Sequence, residues 1–367
     1  MTTRLLLLIP TLDRSGAEKQ FTLLASRLPR DEFDVHVAAL TRGGPYEADL
    51  RAANIPVTIL DKRWKCDPLA FMRLRRLLMD FQPQILHTWL FAANAYGRLA
   101  AGKKPSFKTI VSERCVDSWK SGWQLKLDRR LAPRTSILIG NSNSVADFYR
   151  QQGFPAERLA VIPNGVESLA PSSIDRDRVL AEFNIPPGAK VVGFVGRLAK
   201  QKRVKDLIWA MQLLRQLTDN VYFLIIGDGP ERTRLEELAR QLQCDHVTRF
   251  AGHRDDSDNL TGLLNVFWLA SDFEGMSNSL MEAMAAGVPA VAADIPPNRE
   301  LLIDGETGYV VRVGDSVGIA QFADRILADD ELAVKLGDAS RERMRSQFSI
   351  DKMVEQHVEL YRRIANE

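Results

Sequence analysis

Two carboxylates bracket a short polar segment, Phe273-Glu274-Gly275-Met276-Ser277-Asn278-Ser279-Leu280-Met281-Glu282. Ser and Asn just ahead of an apolar-periodic run predict a helix start, with Ser277 or Asn278 as its cap. The free amides and positive dipole end of such a helix make a place for an anion, and a diphosphate suits it. Glu282, about one turn inside the helix, could accept two hydrogen bonds from a ribose diol. Glu274, ahead of the helix, could reach a hydroxylated sugar beyond the phosphates. The pair thus fits the two ends of a nucleotide-sugar, although a surface glutamate beside an ordinary cap has the same pattern.

A second segment carries cations, Val195-Gly196-Arg197-Leu198-Ala199-Lys200-Gln201-Lys202. Here an apolar run ends in Gly196, and Arg197 and Lys202 follow five positions apart. Arg as a bidentate fork and Lys as a point charge can neutralise a pyrophosphate leaving group. A solvated basic loop ahead of a helix is the plain alternative. The third segment, Ser15-Gly16-Ala17-Glu18, is a turn opening into a helix, and Gly16 would let backbone approach a ligand closely.

The elements that must position these residues alternate strand and helix almost throughout. Apolar or β-branched runs at residues 5–10, 35–40, 57–60, 85–88, 109–111 and 137–139 predict strands, with a helix over 17–28 between the first two. Residues 167–189, rich in Pro, Ser and Gly, read as a linker and the entry to a second domain. Strands recur at 191–195, 222–226, 248–250, 266–269 and 290–292, and residues 350–365 form an amphipathic helix. Short, fully apolar strands separated by amphipathic helices predict α/β architecture with parallel sheets covered on both faces. Ligands of such sheets bind outside the carboxyl ends of the strands, where all three chemical segments fall.

A chain of 367 residues suffices for two domains, and 45% hydrophobic with 26% charged residues is an ordinary globular composition. Three cysteines, Cys66, Cys115 and Cys244, stand in no pairwise motif, against a disulfide framework or zinc site and in keeping with a reducing compartment. The apolar run near the N-terminus is too short to span a bilayer and lacks a cleavage site. These features predict a cytoplasmic protein. Residues 1–168 hold 25 Lys and Arg against 16 Asp and Glu, a net of +9, whereas the remainder carries −7. Arg73, Arg75, Arg76, Lys126, Arg129, Arg130 and Arg134 belong to the basic half, which could face an anionic inner membrane surface or an acidic acceptor. No aromatic-interleaved basic motif points to nucleic acid.

In order and placement these segments resemble the retaining glycosyltransferases of family 4, the group 1 glycosyl transferases, over nearly the whole chain. Ser15-Gly16-Ala17-Glu18 is similar to that family's Gly-Gly-x-Glu turn, and Val161-Ile162-Pro163-Asn164-Gly165-Val166 to its interdomain signature. Phe194-Val195-Gly196-Arg197 resembles its phosphate-binding strand end, Ile226-Gly227-Asp228-Gly229-Pro230 is another familiar block, and Glu274 to Glu282 resembles its double-Glu motif. Gly305-Glu306-Thr307-Gly308-Tyr309 follows as in relatives. The resemblance implies a GT-B fold of two doubly wound Rossmann-like parallel-sheet domains facing across a cleft. Residues 1–168 would be the acceptor-binding domain and 169–349 the nucleotide-sugar-binding domain, with a helix over 350–367 crossing back to the first.

It also implies that Gly16, Gly196, Arg197 and Lys202 meet the donor diphosphate, Glu282 the ribose and Glu274 the transferred sugar. The amides of Gly275, Met276, Ser277 and Asn278 would cap the distal phosphate. Ser15, Glu18, His87, Glu113 and Arg114 would line the acceptor side. No metal or other cofactor is expected, so Asp256-Ser257-Asp258 reads as capping the helix that follows. The implied activity moves a hexose or N-acetylhexosamine from a nucleoside diphosphate sugar, commonly a UDP-sugar, to a hydroxyl of a glycan or lipid-linked acceptor. A non-hydrolysing nucleotide-sugar epimerase and a sugar-nucleotide-binding protein without transfer are the alternatives. The chain departs from the family's pattern at Ser112-Glu113-Arg114, where relatives carry a histidine, at Asn265 in place of an aspartate, and at Pro296-Pro297 in place of a Gly-rich stretch.

Overall fold

A computed structural model describes residues 2–102, 105–116, 120–167 and 175–366, and the chain divides into two compact units. The first comprises Met1–Gly165 with Ile350–Glu367, the second Val166–Ser349.

In the first unit the strands are β1 (Thr3–Thr11), β2 (Phe33–Arg42), β3 (Val57–Ile59), β4 (Ile85–Trp89), β5 (Lys108–Glu113), β6 (Ile137–Gly140) and β7 (Leu159–Val161). They form one seven-stranded sheet in the order β3-β2-β1-β4-β5-β6-β7, parallel at every pairing. The second unit has β8 (Lys190–Val195), β9 (Val221–Ile226), β10 (Thr248–Gly252), β11 (Val266–Leu269), β12 (Ala290–Ala293) and β13 (Gly308–Val311), in the order β10-β9-β8-β11-β12-β13. This six-stranded sheet is parallel too. Leu5 to Ile9 are wholly buried although successive side chains point to opposite faces, which requires helices on both sides of the sheet. Strand order reverses between β1 and β4 in one sheet and between β8 and β11 in the other. The loops leaving those strands therefore diverge and open a crevice for ligand.

Two strands were not foreseen in the sequence. β7 is three half-buried residues, Leu159–Val161, at a sheet edge, and β13 begins at a glycine and ends the other sheet, so both are short and only partly enclosed. The expected linker also holds a helix, Arg176–Ala181, capped by the Asp175 carboxylate on the Arg178 amide at 3.2 Å. Residues 168–174 of that stretch lie outside the described residues.

The last helix, Ile350–Ala365, belongs to the first unit. Ile350, Met353, Val354, Val358, Tyr361 and Ile364 are buried in its core, each worth about 1.5–3 kcal/mol by transfer from water. Tyr361 meets Phe33 edge-on at 5.7 Å. Where the chain leaves this unit, buried Gln20 holds both backbone groups of Gly165: its amide donates to the carbonyl at 2.8 Å and accepts from the N–H at 2.8 Å.

Candidate active site

On the second unit, the ends of β8, β9 and β11 are tied together by backbone. The Gly196 amide donates to Ile226 O at 2.9 Å, and Leu198 N donates to Asp228 O at 2.9 Å. The approach is so close that a Cβ on Gly227 would lie 2.0 Å from the Gly196 carbonyl oxygen, at a φ of +133° that L side chains rarely adopt. The Gly-Asp-Gly of the sequence is thus the spacer that sets the β8 loop. Gln201 then joins this loop to the one after β11. Its side-chain amide donates to Phe273 O at 2.6 Å, while its own carbonyl accepts from Asp272 N at 2.9 Å. Gln201 lies inside the cationic segment, but its sequence position gives no sign that it stitches the two loops together.

This framework brings Lys202 and Glu274, 72 positions apart, into contact: Nζ donates to Oε1 at 2.5 Å. Both side chains are largely buried, at 17% and 9% exposure, so the pair is shielded from solvent screening. Arg197 is exposed and has no side-chain partner among the described residues. After Glu274 the chain runs through buried Gly275, Met276 and Ser277 into the helix Asn278–Ala285. Ser277 is the cap, its Oγ accepting from Leu280 N at 3.4 Å, and Glu282 is half-buried inside the helix. Two cations, two carboxylates and a capped helix N-terminus therefore occupy the carboxyl edge of one sheet.

One neighbouring expectation is corrected, and two departures from the family's pattern find local roles. Asp256 stands at the start of the helix Ser257–Thr261 without capping it, because its carboxylate is taken by Arg254 at 2.7 and 2.8 Å. That hydrogen-bonded guanidinium holds the Asp256 carboxyl below its usual range. Asn265 accepts from Val191 N at 2.7 Å and from the Arg176 guanidinium at 2.8 Å, a structural role. Pro296-Pro297 opens the helix Pro296–Leu301, where a missing N–H costs nothing.

On the first unit, Ser15 and Gly16 are exposed at the start of the helix Gly16–Arg27. Glu18 is buried and accepts from the Ser15 hydroxyl and from Thr11 Oγ1, the latter at 3.1 Å. Glu113, the last residue of β5, is also buried. It accepts from Asn94 Nδ2 at 2.9 Å and from Lys120 Nζ at 3.1 Å, and Lys120 further binds Asp128 at 3.1 Å. Arg114 follows, its guanidinium 4.2 Å over the Trp89 ring and donating to Asn164 Oδ1 at 2.5 Å.

His87 does not line the ligand-facing edge as expected. β4 runs two residues past it, and its side chain is wholly buried, with Nδ1 2.6 Å from the Tyr361 hydroxyl and Nε2 2.7 Å from Ser112 Oγ. Burial, and then the nearby His357 and Arg114, press its pKa well below the usual histidine value, so the ring is neutral. It is a satisfied core histidine.

Comparison with known proteins agrees along the chain. Residues 14–168 match Glycosyltransferase Family 4 and residues 175–343 match Glycosyl transferases group 1. A Mycobacterium leprae phosphatidyl-myo-inositol mannosyltransferase is 31% identical over 301 residues, 80% of this chain and 78% of that protein. The N-acetyl-alpha-D-glucosaminyl L-malate synthase of Bacillus anthracis is 27% identical over 228 residues, 62% of this chain and 60% of the relative's own length. HepE of Anabaena, solved in complex with UDP, superposes with a TM-score of 0.86 at 22% identity, covering 98% of this chain and 99% of HepE. The chain belongs to the group 1 glycosyltransferases and carries the two Rossmann-like parallel-sheet domains of the GT-B fold.

Proposed function

We propose that the protein is a retaining, metal-independent glycosyltransferase that moves a hexose or N-acetylhexosamine from a UDP-sugar to a hydroxyl of a glycan or lipid-linked acceptor. The observation that carries this reading is the Lys202–Glu274 contact beside the capped helix Asn278–Ala285, with Arg197 exposed and unpaired among the described residues. The second unit would hold the donor: Gly196, Arg197 and Lys202 at the diphosphate, Glu282 at the ribose, Glu274 at the sugar, and the amides of Gly275 to Asn278 at the distal phosphate. The first unit would take the acceptor, with Ser15, Glu18, Glu113 and Arg114 on its side of the reaction. The similarity to a HepE structure that contains UDP supports the choice of base.

In the proposed step the bond from the anomeric carbon to the leaving phosphate oxygen breaks as the acceptor oxygen bonds to that carbon on the same face. The acceptor proton passes to the departing diphosphate, so no protein base is consumed. Charge grows on the diphosphate oxygens, where Arg197 and Lys202 stabilise it without a metal.

Protection against thermal unfolding by UDP-, GDP- and ADP-sugars, with and without EDTA, tests the donor site. At a hundredfold excess over Kd a UDP-sugar should add about 2.7 kcal/mol of stability, insensitive to EDTA and lost in Glu282→Ala. Absence of any shift in the wild type would sink the reading, and product formed from donor alone would redirect it to the epimerase class.

We further propose that the first unit rests on the anionic inner face of the membrane in the cytoplasm. No helix among the described residues is long and apolar enough to cross a bilayer. Instead, Leu69, Met72 and Met79 are exposed on the helix Pro68–Phe81 beside exposed Arg75 and Arg76, with exposed Trp64 just ahead of it. Each surface arginine near anionic lipid contributes about 1 kcal/mol. Vesicles containing one-third phosphatidylglycerol should sediment the wild type at low salt, and Arg75→Glu/Arg76→Glu should reduce this about tenfold or more. Equal sedimentation with purely zwitterionic vesicles would refute the contact.

A further inference from the structure

Three basic side chains are buried in this protein among the described residues: Arg98, Arg114 and Lys120. Two have carboxylates. Arg98 donates to Asp128 at 2.5 Å, and Lys120 is bonded to both Glu113 and Asp128 at 3.1 Å. Arg114, at 8% exposure, has none among the described residues. Its Nη2 donates to the amide oxygen of Asn164 and its plane lies on the Trp89 indole, while Nε and Nη1 are buried with no acceptor. The indole N–H of Trp89 is buried and unbonded as well. Adjacent Glu113 offers no relief, because its carboxylate is held by Asn94 and Lys120.

A guanidinium taken out of water costs several kcal/mol unless charge and hydrogen bonds replace its hydration. Burial pushes the Arg114 pKa down to about 9, the mark of a cation short of a counterion. The rings facing it supply no anion: His87 and His357 are neutral, and burial raises the Tyr361 phenol well above its usual value.

The position has a ligand logic of its own. Trp89 closes β4, Arg114 follows β5, Asn141 follows β6 and Asn164 lies just beyond β7. These four strands are adjacent and parallel, so the four residues form a row along the carboxyl edge of the sheet, starting at the strand-order reversal. In doubly wound sheets that edge receives the ligand.

We infer that Arg114 and Trp89 form an oxyanion-binding subsite on the first unit, which takes a carboxylate or phosphate carried by the acceptor. This rests on the reading that the first unit receives the acceptor. The unpartnered Nε and Nη1 lie on different edges of the guanidinium, so each is a separate donor to an oxyanion oxygen, and a neutral sugar would leave the cation uncompensated.

The indole N–H resonances of the full-length protein, six tryptophans in all, report on the subsite. The Trp89 signal is assigned by its loss in Trp89→Phe. At fixed ionic strength, methyl glucuronide should move it saturably, whereas methyl glucoside should not. Movement by inorganic phosphate but not by the glucuronide would support the oxyanion site while assigning it to a free anion rather than to an acceptor group. Arg114→Met should weaken binding at least about tenfold, and Arg114→Lys, which keeps the charge without the planar set of donors, should fall between. Protection by UDP-sugar, read in the same samples, should survive both substitutions. A Trp89 signal indifferent to both anions while UDP-sugar still protects would overturn the inference and leave the donor reading standing. Anion binding undiminished in Arg114→Met would overturn it equally. Loss of UDP-sugar protection in the wild type would instead count against the proposed function.

Discussion

Arg197→Ala and Lys202→Ala should each lower kcat for sugar transfer by on the order of a hundredfold or more, with a much smaller change in the KM for donor. Both cations are assigned to the leaving diphosphate, whose charge is greater in the transition state than in the bound donor. Removing a group that acts there costs about 2.7–4 kcal/mol of barrier. The structure separates the two variants in a second measurement. Arg197 is exposed and without a side-chain partner among the described residues, so its loss should leave the unfolding temperature unchanged. Lys202 is hydrogen-bonded to Glu274, whose side chain is only 9% exposed, and its loss strands a shielded carboxylate. Lys202→Ala should therefore be both slow and less stable, by about 1–3 kcal/mol. Lys202→Ala/Glu274→Gln should recover stability without recovering rate. A raised KM at unchanged kcat in either single variant would mean that the cation binds ground state and transition state alike, and the assigned role would be wrong.

That pairing also shows where a sequence stops being readable. The strands were legible because parallel sheets covered on both faces need side chains of one kind along their whole length, as Leu5 to Ile9 are. The strands that escaped notice, β7 and β13, are short and sit at sheet edges, where this demand is weakest. The residue types of the proposed donor site were readable too, since they cluster in the segments that follow β8 and β11. Their contact was not. It depends on Gln201 stitching two loops and on Gly227 lying against the Gly196 carbonyl, and neither residue advertises a partner. His87 misled for a related reason. A strand-end histidine and a core histidine are the same letter, and only the return of the C-terminal helix, with Tyr361 274 positions away, decides between them. Arg114 is the converse case: the charge was visible, while the lack of a countercharge exists only in three dimensions.

Acid should destabilise the first unit steeply below pH 6.5, more than its surface charges can account for. His87 and His357 are wholly buried, with ring centroids 6.0 Å apart, and Arg114 acts on both. Burial pushes His357 down to about 3 and His87 well below its ordinary value. In the native state both therefore stay neutral, whereas in the unfolded chain both take up a proton near pH 6.5. The unfolded state then binds more protons, so stability is fully present above pH 6.5 and falls as the pH drops toward the native value. His357 alone loses about 1.4 kcal/mol per pH unit through that window, and His87 adds in the same direction. Urea unfolding of the wild type between pH 7.5 and 5 should show this slope, and His357→Leu should flatten it by roughly one proton's worth. Leucine removes the titrating ring and keeps an apolar side chain in contact with Trp89 and Tyr361. Its stability should therefore fall below the wild type at pH 7.5 and approach it at pH 5. An unchanged pH slope in His357→Leu would show that this histidine already carries a proton in the folded protein. The uncompensated cation at Arg114 would then have a second one beside it, and the case for an oxyanion in that row would be stronger still.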